Sequence, residues 1–494
     1  MSIMNTATHN YHAAILCPPG LGHIIPFLEL TKKLVSHKKI TKLTIFVASI
    51  KNNSSKPQMA TNIVQSLMKH DLFHIIHIIH LPPIDIPTNT NTGTKLAMLM
   101  RELIPHICHE ISTMTSPKPT ILITDLFGSL VMPIAEKFNM SKLVFFTSNA
   151  WNVALTLHTP TLDEVVEGEY TDQKECIQIP GCNPISPCDL FTPLLDRNDQ
   201  LYHEYLQICE QIRKVDGIFV NTFHELEAKT IVALRSGNIS KVTVYPIGPL
   251  IREAKKQSCE DENRDYVIDW LDKQEEESVI YVSLGSGYTM SHEQVKDMAL
   301  GLELSGKKFV WSLTSPSTKA GDDHYLTAGE NAKSNGVAIS QASVSSFPDE
   351  FYKIQSKGLA VMDWAPQLEI LKHSSTGGFL SHCGWNSILE SVSCGVPIVA
   401  WPLFADQMMN AEIITKEIGI GVRLNVTQST NVVGSEEIAK TICKIMDKED
   451  IEGCAMRKRV KELKHIAEKA WSQDGPSFCE MTNAFVRISQ THGV

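Results

Sequence analysis

The sequence predicts an α/β protein made of two doubly wound parallel layers. Short apolar runs alternate with stretches of helical periodicity along the whole chain, which is the pattern of parallel sheets with crossover helices. Several runs end in a Gly-rich or polar turn, the place where such sheets collect ligands. The 494 residues exceed what one core holds, so two domains of roughly 200 to 250 residues are expected.

The first unit of this pattern opens the chain. His12–Cys17 reads as a strand, Pro18–Gly22 as a turn, and Ile24, Leu28, Thr31, Leu34 and Val35 recur at helical spacing. Leu43–Ala48, Thr120–Asp125 and Leu143–Phe146 are the next strands. Between them, His74, His77 and His80 invite a metal reading. The β-branched residues separating them favour a strand, which sends His77 to the face opposite His74 and His80. The polar, charged segment 251–265 reads as an interdomain linker. A second series follows, with strands at Ser278–Leu284, Lys308–Leu313, Leu359–Met362, Gly378–Ser381, Val396–Ala400 and Gly421–Leu424. The segment 315–346, rich in small polar residues, reads as a surface loop, and Cys454–Ala470 as a basic helix.

Composition narrows the function. Hydrophobic residues at 43% and charged residues at 20% describe an ordinary globular protein. A net charge of −10 without a basic block gives no footprint for nucleic acid or an anionic membrane. No stretch approaches the ~18 apolar residues of a membrane span and Met1–His12 lacks the features of a secretory signal, so a cytoplasmic protein is expected. The 12 Cys include no C-x-x-C pair and read as reduced thiols.

Two polar groups stand at strand ends in the first half. Gly20-Leu-Gly22-His23 follows the first strand, but Ile25 occupies the place of a third Gly and the next strand ends in Ser49, which disfavours a dinucleotide site and an NAD oxidoreductase. Asp125 ends the strand Ile121–Thr124. A carboxylate beside an imidazole fixes its tautomer and stabilises the imidazolium, so His23 and Asp125 together suit a general base acting on a hydroxyl. Each also has a plainer reading, His23 as a helix-start neighbour and Asp125 as a helix cap.

The second half holds its polar groups in Val282–Gly287 and Trp364–Gln407. A helix N-terminus at Gly384–Ser387 offers amides and dipole to a diphosphate, with His382 and Ser286 as added donors. Trp364 offers a face for a base, Glu390 an acceptor for ribose hydroxyls, and Asp406 with Gln407 the carboxylate and amide that hexose hydroxyls need. Taken singly, plainer readings compete: Ser387-Ile-Leu-Glu390 fits a capping box, Trp364, Trp385 and Trp401 fit a core, and His382-Cys383 lacks the second pair that a zinc site needs. The stretch has Lys372 as its only Lys or Arg, so diphosphate charge would be met by dipoles.

Trp364–Gln407 resembles the signature box of plant family 1 UDP-glycosyltransferases. Gly22–Pro26, Gly217–Phe223, Pro246–Pro249, Trp270–Asp272 and Tyr281–Ser286 resemble further landmarks of that family in the same order, and the group that glucosylates hydroquinone and monolignols is the most similar. The resemblance implies the GT-B fold, two Rossmann-like domains facing across a cleft: an acceptor domain over 1–250, the linker 251–265, a UDP-sugar domain over 266–475, and a C-terminal helix over 476–494 crossing back. It implies donor contacts from Ser286, Trp364, Ala365, Gln367, His382, Gly384, Trp385, Asn386, Ser387, Glu390, Asp406 and Gln407, the last being the residue associated with glucose. His23 matches the catalytic base and Asp125 its partner, with inversion at the anomeric carbon, no metal, and no cofactor beyond UDP-glucose as co-substrate. Phe127, Phe146, Trp151 and Phe404 are candidate walls for a planar phenolic acceptor, and any of them also reads as core. A monomer with no nucleic-acid or integral-membrane partner is expected. The alternatives are N- or S-glucosylation on the same fold, a UDP-sugar epimerase or hydrolase, and a non-catalytic UDP-sugar-binding protein.

Overall fold

The structure is a computed structural model that describes residues 10–37, 39–51, 73–87, 90–252, 266–285, 288–313, 347–362, 365–425 and 432–492. The chain forms two compact units. One comprises Met1–Cys188, Pro193–Leu250 and Lys469–Val494; the other comprises Asp189–Thr192 and Ile251–Glu468.

In the first unit seven strands run parallel: β1 (Tyr11–Cys17), β2 (Ile40–Val47), β3 (Ile76–His80), β4 (Ile121–Thr124), β5 (Ser141–Phe146), β6 (Gly217–Val220) and β7 (Val244–Pro246), in the order β3-β2-β1-β4-β5-β6-β7. The central strands β1 and β4 are buried along nearly their whole length and mostly apolar, as strands covered on both faces of a parallel sheet are. One core joins Ile15, Ile45, Ile123 and Phe145 of the sheet to Phe27, Leu30 and Leu34 of the helix Leu21–Ser36. The helix Pro476–His492 adds Met481, Ala484, Phe485 and Ile488 to the same core, and the Tyr11 hydroxyl donates to the Phe485 carbonyl at 3.2 Å.

The second unit is a six-stranded parallel sheet: β8 (Val279–Ser283), β9 (Lys308–Leu313), β10 (Gly358–Met362), β11 (Thr376–Ser381), β12 (Ile398–Ala400) and β13 (Gly421–Arg423), in the order β10-β9-β8-β11-β12-β13. Alternation along the strands feeds two cores. Ile280, Val282, Trp311 and Leu380 face one way, and Tyr281, Val310 and Phe379 face the other.

In each sheet the order reverses once beside the strand that opens its series, between β1 and β4 and between β8 and β11. The loops leaving the two strands at such a point diverge and open a crevice at their carboxyl ends. This topology decides where the functional side chains stand.

Several sequence expectations are refined. β6 and β7 are strands that periodicity did not isolate, being only four and three residues long. The basic helix spans Ile451–Lys469. The contact-defined return to the first unit begins at 469, against an expected 476. His74 lies on a 3-10 turn ahead of β3, and His74, His77 and His80 are all exposed along this edge of the sheet. Residues 253–265 of the linker and the loop 315–346 lie outside the described residues.

Candidate active site

The first crevice is built by the turns after β1 and β4. Gly20 caps the helix Leu21–Ser36, and the backbone N–H of His23 donates to the Gly20 carbonyl at 3.1 Å, which fixes His23 in the first helical turn. Asp125 directly follows β4 and is 1% exposed. Nδ1 of His23 stands 2.8 Å from Oδ2 of Asp125, at ion-pair distance but off the hydrogen-bond axis, and among the described residues neither atom has another hydrogen-bond partner. The other oxygen of Asp125 accepts from the backbone N–H of Gly128 at 2.7 Å and so caps the 3-10 turn Phe127–Val131. One oxygen of Asp125 thus caps the turn that follows β4, while the other stands beside the imidazole.

Such a pair can accept a proton at the far nitrogen of His23 while the carboxylate stabilises the resulting imidazolium. Side-chain exposure is 13% for His23, enough for a ligand atom to reach the ring. The Phe127 ring meets the imidazole edge-on with centroids 6.0 Å apart. Cys17 ends β1 nearby; burial, then the Asp125 carboxylate, hold its thiol well above the ordinary range, so it stays neutral.

Of the other aromatics singled out in the first unit, Phe146 is 2% and Trp151 1% exposed. Both are core side chains in this structure, which leaves Phe127 as the one offering ring surface. Sequence reasoning missed Glu227, which is fully buried and accepts from the backbone N–H groups of Ala150 and Trp151. It holds the N-terminus of the helix Ala150–Val165, favourably placed against the helix dipole.

In the second unit, the loop after β11 carries His382, Cys383 and Gly384 into the helix Trp385–Cys394. His382 lies over the turn after β8. A Cβ on Gly285 would come within 2.9 Å of the His382 ring, and one on Gly384 within 2.5 Å of its Nε2, so the imidazole fits only between two glycines. Burial holds the His382 pKa down at about 4, so it acts as a neutral donor or acceptor and supplies no positive charge near pH 7. Cys383 is fully buried at φ 64°, a conformation that costs roughly 1–3 kcal/mol for a residue with a Cβ. It is retained by the Asn410 amide, which donates to the Cys383 carbonyl at 2.9 Å. Asn410 escaped sequence reasoning because a lone buried Asn in a short helix gives no spacing signal.

Gln367 begins the helix Gln367–Lys372, after Ala365. Its amide donates to Glu390 at 2.7 Å and to the Ser387 hydroxyl at 3.0 Å. The capping box expected of Ser387 and Glu390 is thus not formed, because Gly384 is the cap and both side chains turn to Gln367 instead. Burial raises the Glu390 pKa to about 7 against the lowering effect of the Gln367 hydrogen bond. Trp385 (4% exposed) and Trp401 (5%) are buried, as their core reading required.

After β12 the turn Phe404–Asp406 leads into the helix Gln407–Glu412. The carbonyl end of Gln407 accepts from the backbone N–H of Leu403 and of Phe404, at 3.0 and 3.2 Å, so its NH2 end is the one left to meet a ligand. Phe404 is half-buried in this turn and belongs to the second unit. Ser286 and Trp364 lie outside the described residues. Gln367, His382, Gly384, Asn386, Ser387, Glu390, Asp406 and Gln407 all sit on segments leaving the carboxyl side of the second sheet, while His23, Asp125 and Phe127 gather at that side of the first.

Among the described residues no group of three or more His, Cys, Asp and Glu side chains is placed to hold a metal ion, and no helix is long and apolar enough to cross a membrane.

The chain is similar to known proteins over nearly its whole length. Residues 253–460 match the family described as UDP-glucoronosyl and UDP-glucosyl transferase. Anthocyanidin 3-O-glucosyltransferase 5 of Manihot esculenta is 42% identical, covering 95% of this chain and 94% of its own. Hydroquinone glucosyltransferase of Rauvolfia serpentina is 36% identical, covering 95% and 96%. The structure of Phytolacca americana UGT2 complexed with UDP-2fluoro-glucose and pterostilbene superposes with a TM-score of 0.82 at 32% identity, covering 97% of this chain and all of that one.

Proposed function

Because the chain belongs to the plant UDP-glycosyltransferase family and has its GT-B fold of two Rossmann-like domains, we propose that it transfers glucose from UDP-glucose to the hydroxyl of a small phenolic acceptor, of hydroquinone, monolignol or flavonoid type, with inversion. The observation that carries the chemistry is the His23–Asp125 pair, a 2.8 Å contact at the point where the first sheet reverses its order. The relatives named for anthocyanidin and hydroquinone glucosylation support the acceptor class.

In this reading the far nitrogen of His23 takes the proton of the acceptor hydroxyl, and Asp125 stabilises the imidazolium. The oxygen then attacks the anomeric carbon, the bond to the β-phosphate oxygen breaks, and UDP leaves from the opposite side. The β-glucoside follows from that geometry. Phe127 lies beside the base as an aromatic wall.

The donor is assigned to the second unit. Trp364 stacks the uracil, Gln367 and Glu390 take the nucleoside with Ser387, and Asp406 and Gln407 face the sugar alongside Trp385. Ser286, Asn386, His382 and the amides at Gly384 meet the diphosphate. Since His382 is neutral near pH 7, negative charge is countered there by the helix dipole and oriented N–H groups. No cofactor beyond UDP-glucose and no metal enters this mechanism.

The test is purified protein with UDP-glucose and a panel of hydroquinone, coniferyl alcohol, flavonols and a chlorinated aniline, read by product mass. One added hexose on a phenol supports the proposal. Transfer to nitrogen alone, or UDP-glucose hydrolysis without transfer, overturns it.

A further inference from the structure

Four residues flanked on both sides by first-unit chain, Asp189–Thr192, group with the second unit. Arg423, the last residue of β13, holds their leading end. Its two terminal nitrogens donate to the two oxygens of Asp189 at 3.1 and 2.7 Å, a forked geometry that only a guanidinium offers. The nitrogen at 3.1 Å also donates to Glu412 at 3.1 Å, at the end of the helix Gln407–Glu412. The other oxygen of Glu412 meets Lys416 at 2.7 Å. Two cations thus face two carboxylates, and side-chain exposures of 28%, 14% and 11% for Arg423, Asp189 and Glu412 shield the Arg423 pairs from bulk solvent.

The trailing end of the segment is fixed as well. Thr192 donates its backbone N–H and its hydroxyl to the Ala405 carbonyl, at 3.2 and 3.3 Å. Ala405 has φ 58°, a left-handed conformation unfavourable for a residue with a Cβ. Asp406 and Gln407 follow it directly. The contacts therefore close a circuit: Arg423 to Asp189, along the chain to Thr192, across to Ala405, through the helix that Gln407 begins, and back through Glu412 to Arg423.

We propose that Arg423 is a positioning residue for recognition of the donor sugar. Acting through Asp189, Thr192 and Glu412, it holds the Ala405–Gln407 turn in its left-handed form and so sets where the Asp406 carboxylate and the Gln407 amide point. The inference rests on the reading of Asp406 and Gln407 as the sugar-facing pair. It assigns a donor-side task to Asp189 and Thr192, which belong to the half of the sequence otherwise assigned to the acceptor.

The experiment compares binding of UDP, UDP-glucose and UDP-galactose by calorimetry for wild type, Arg423→Lys, Asp189→Asn and the milder Thr192→Val. If Arg423 positions the sugar-facing turn, UDP affinity stays within about twofold of wild type. UDP-glucose affinity falls about five- to tenfold in Arg423→Lys and Asp189→Asn and less in Thr192→Val, and the preference for glucose over galactose shrinks in step. Equal losses for UDP and UDP-glucose, or an unchanged sugar preference, overturn the proposal. Gln407→Ala separates the two readings. If it alters sugar preference while the other variants do not, only the role of Arg423 falls; if it leaves preference unchanged, the sugar-facing assignment falls with it.

Discussion

In the proposed mechanism His23 depends on Asp125 for the charge it acquires, so the two side chains should fail differently when replaced. His23→Ala is expected to abolish transfer to phenols while UDP binding, measured by calorimetry, stays intact. Asp125→Asn keeps an oxygen for Gly128 but removes the negative charge, and kcat should drop roughly 10²–10⁴-fold. Glu390 gives a second test, in pH. Its pKa in the free protein is raised to about 7; in the proposed donor site, ribose hydroxyls donating to it would favour the ionised form, so UDP binding should release a proton. Affinity should therefore be full above pH 7 and fall, by up to about tenfold per pH unit, as pH drops below it. Glu390→Gln should flatten that slope, read as the difference between the two proteins so that titration of the phosphate cancels. In the free protein the sign is opposite: stability from Glu390 is full below the ordinary value of 4.5 and is lost as pH rises through about 7. His23 and Asp125 were legible because one stands in the first turn of a helix and the other directly after a strand, and Glu390 because it lies in a recognisable string. Gln367 turning to Glu390 was not, since the same letters satisfy a capping box and only the packed structure chooses.

At the scale of elements, the helix Ala150–Val165 starts against a carboxylate with no exposure at all. Glu227→Ala would leave the backbone N–H groups of Ala150 and Trp151 buried without that acceptor. A loss of roughly 1–3 kcal/mol in urea unfolding is expected, and an unchanged midpoint would remove Glu227 from this role. Central strands and their turns were readable because burial on both faces makes them unbroken apolar runs; β6 and β7, short and at one side of the sheet, were not. The aromatic walls were the least legible feature. Alternation cannot tell a ring that lines a pocket from one that fills a core, and Phe146 and Trp151 proved to be the latter.

For the whole molecule, the largest departure from a simple reading is that a core can be assembled from distant parts of the chain. Phe485, fully buried, shares a cluster with Ile15, Phe27 and Phe145. Phe485→Ala should cost about 3–5 kcal/mol in the first unit while the second keeps its affinity for UDP; loss of both together would show that the units do not respond separately. The division into two sheets was legible from the two strand series, whereas the capture of Asp189–Thr192 by the second unit was not, because it depends on Arg423, 234 positions from Asp189, and on Ala405, 213 positions from Thr192. Domains ordinarily fold in the order in which the ribosome delivers them. Here Ile251–Glu468 is delivered complete before Met481, Ala484, Phe485 and Ile488 exist, so the unit begun first is finished last. During synthesis its half-built apolar face waits open while some two hundred residues of another domain are made. The nascent chain therefore carries its exposure to chaperones and to aggregation at the beginning of the sequence, although the residues that end that exposure are encoded near its end.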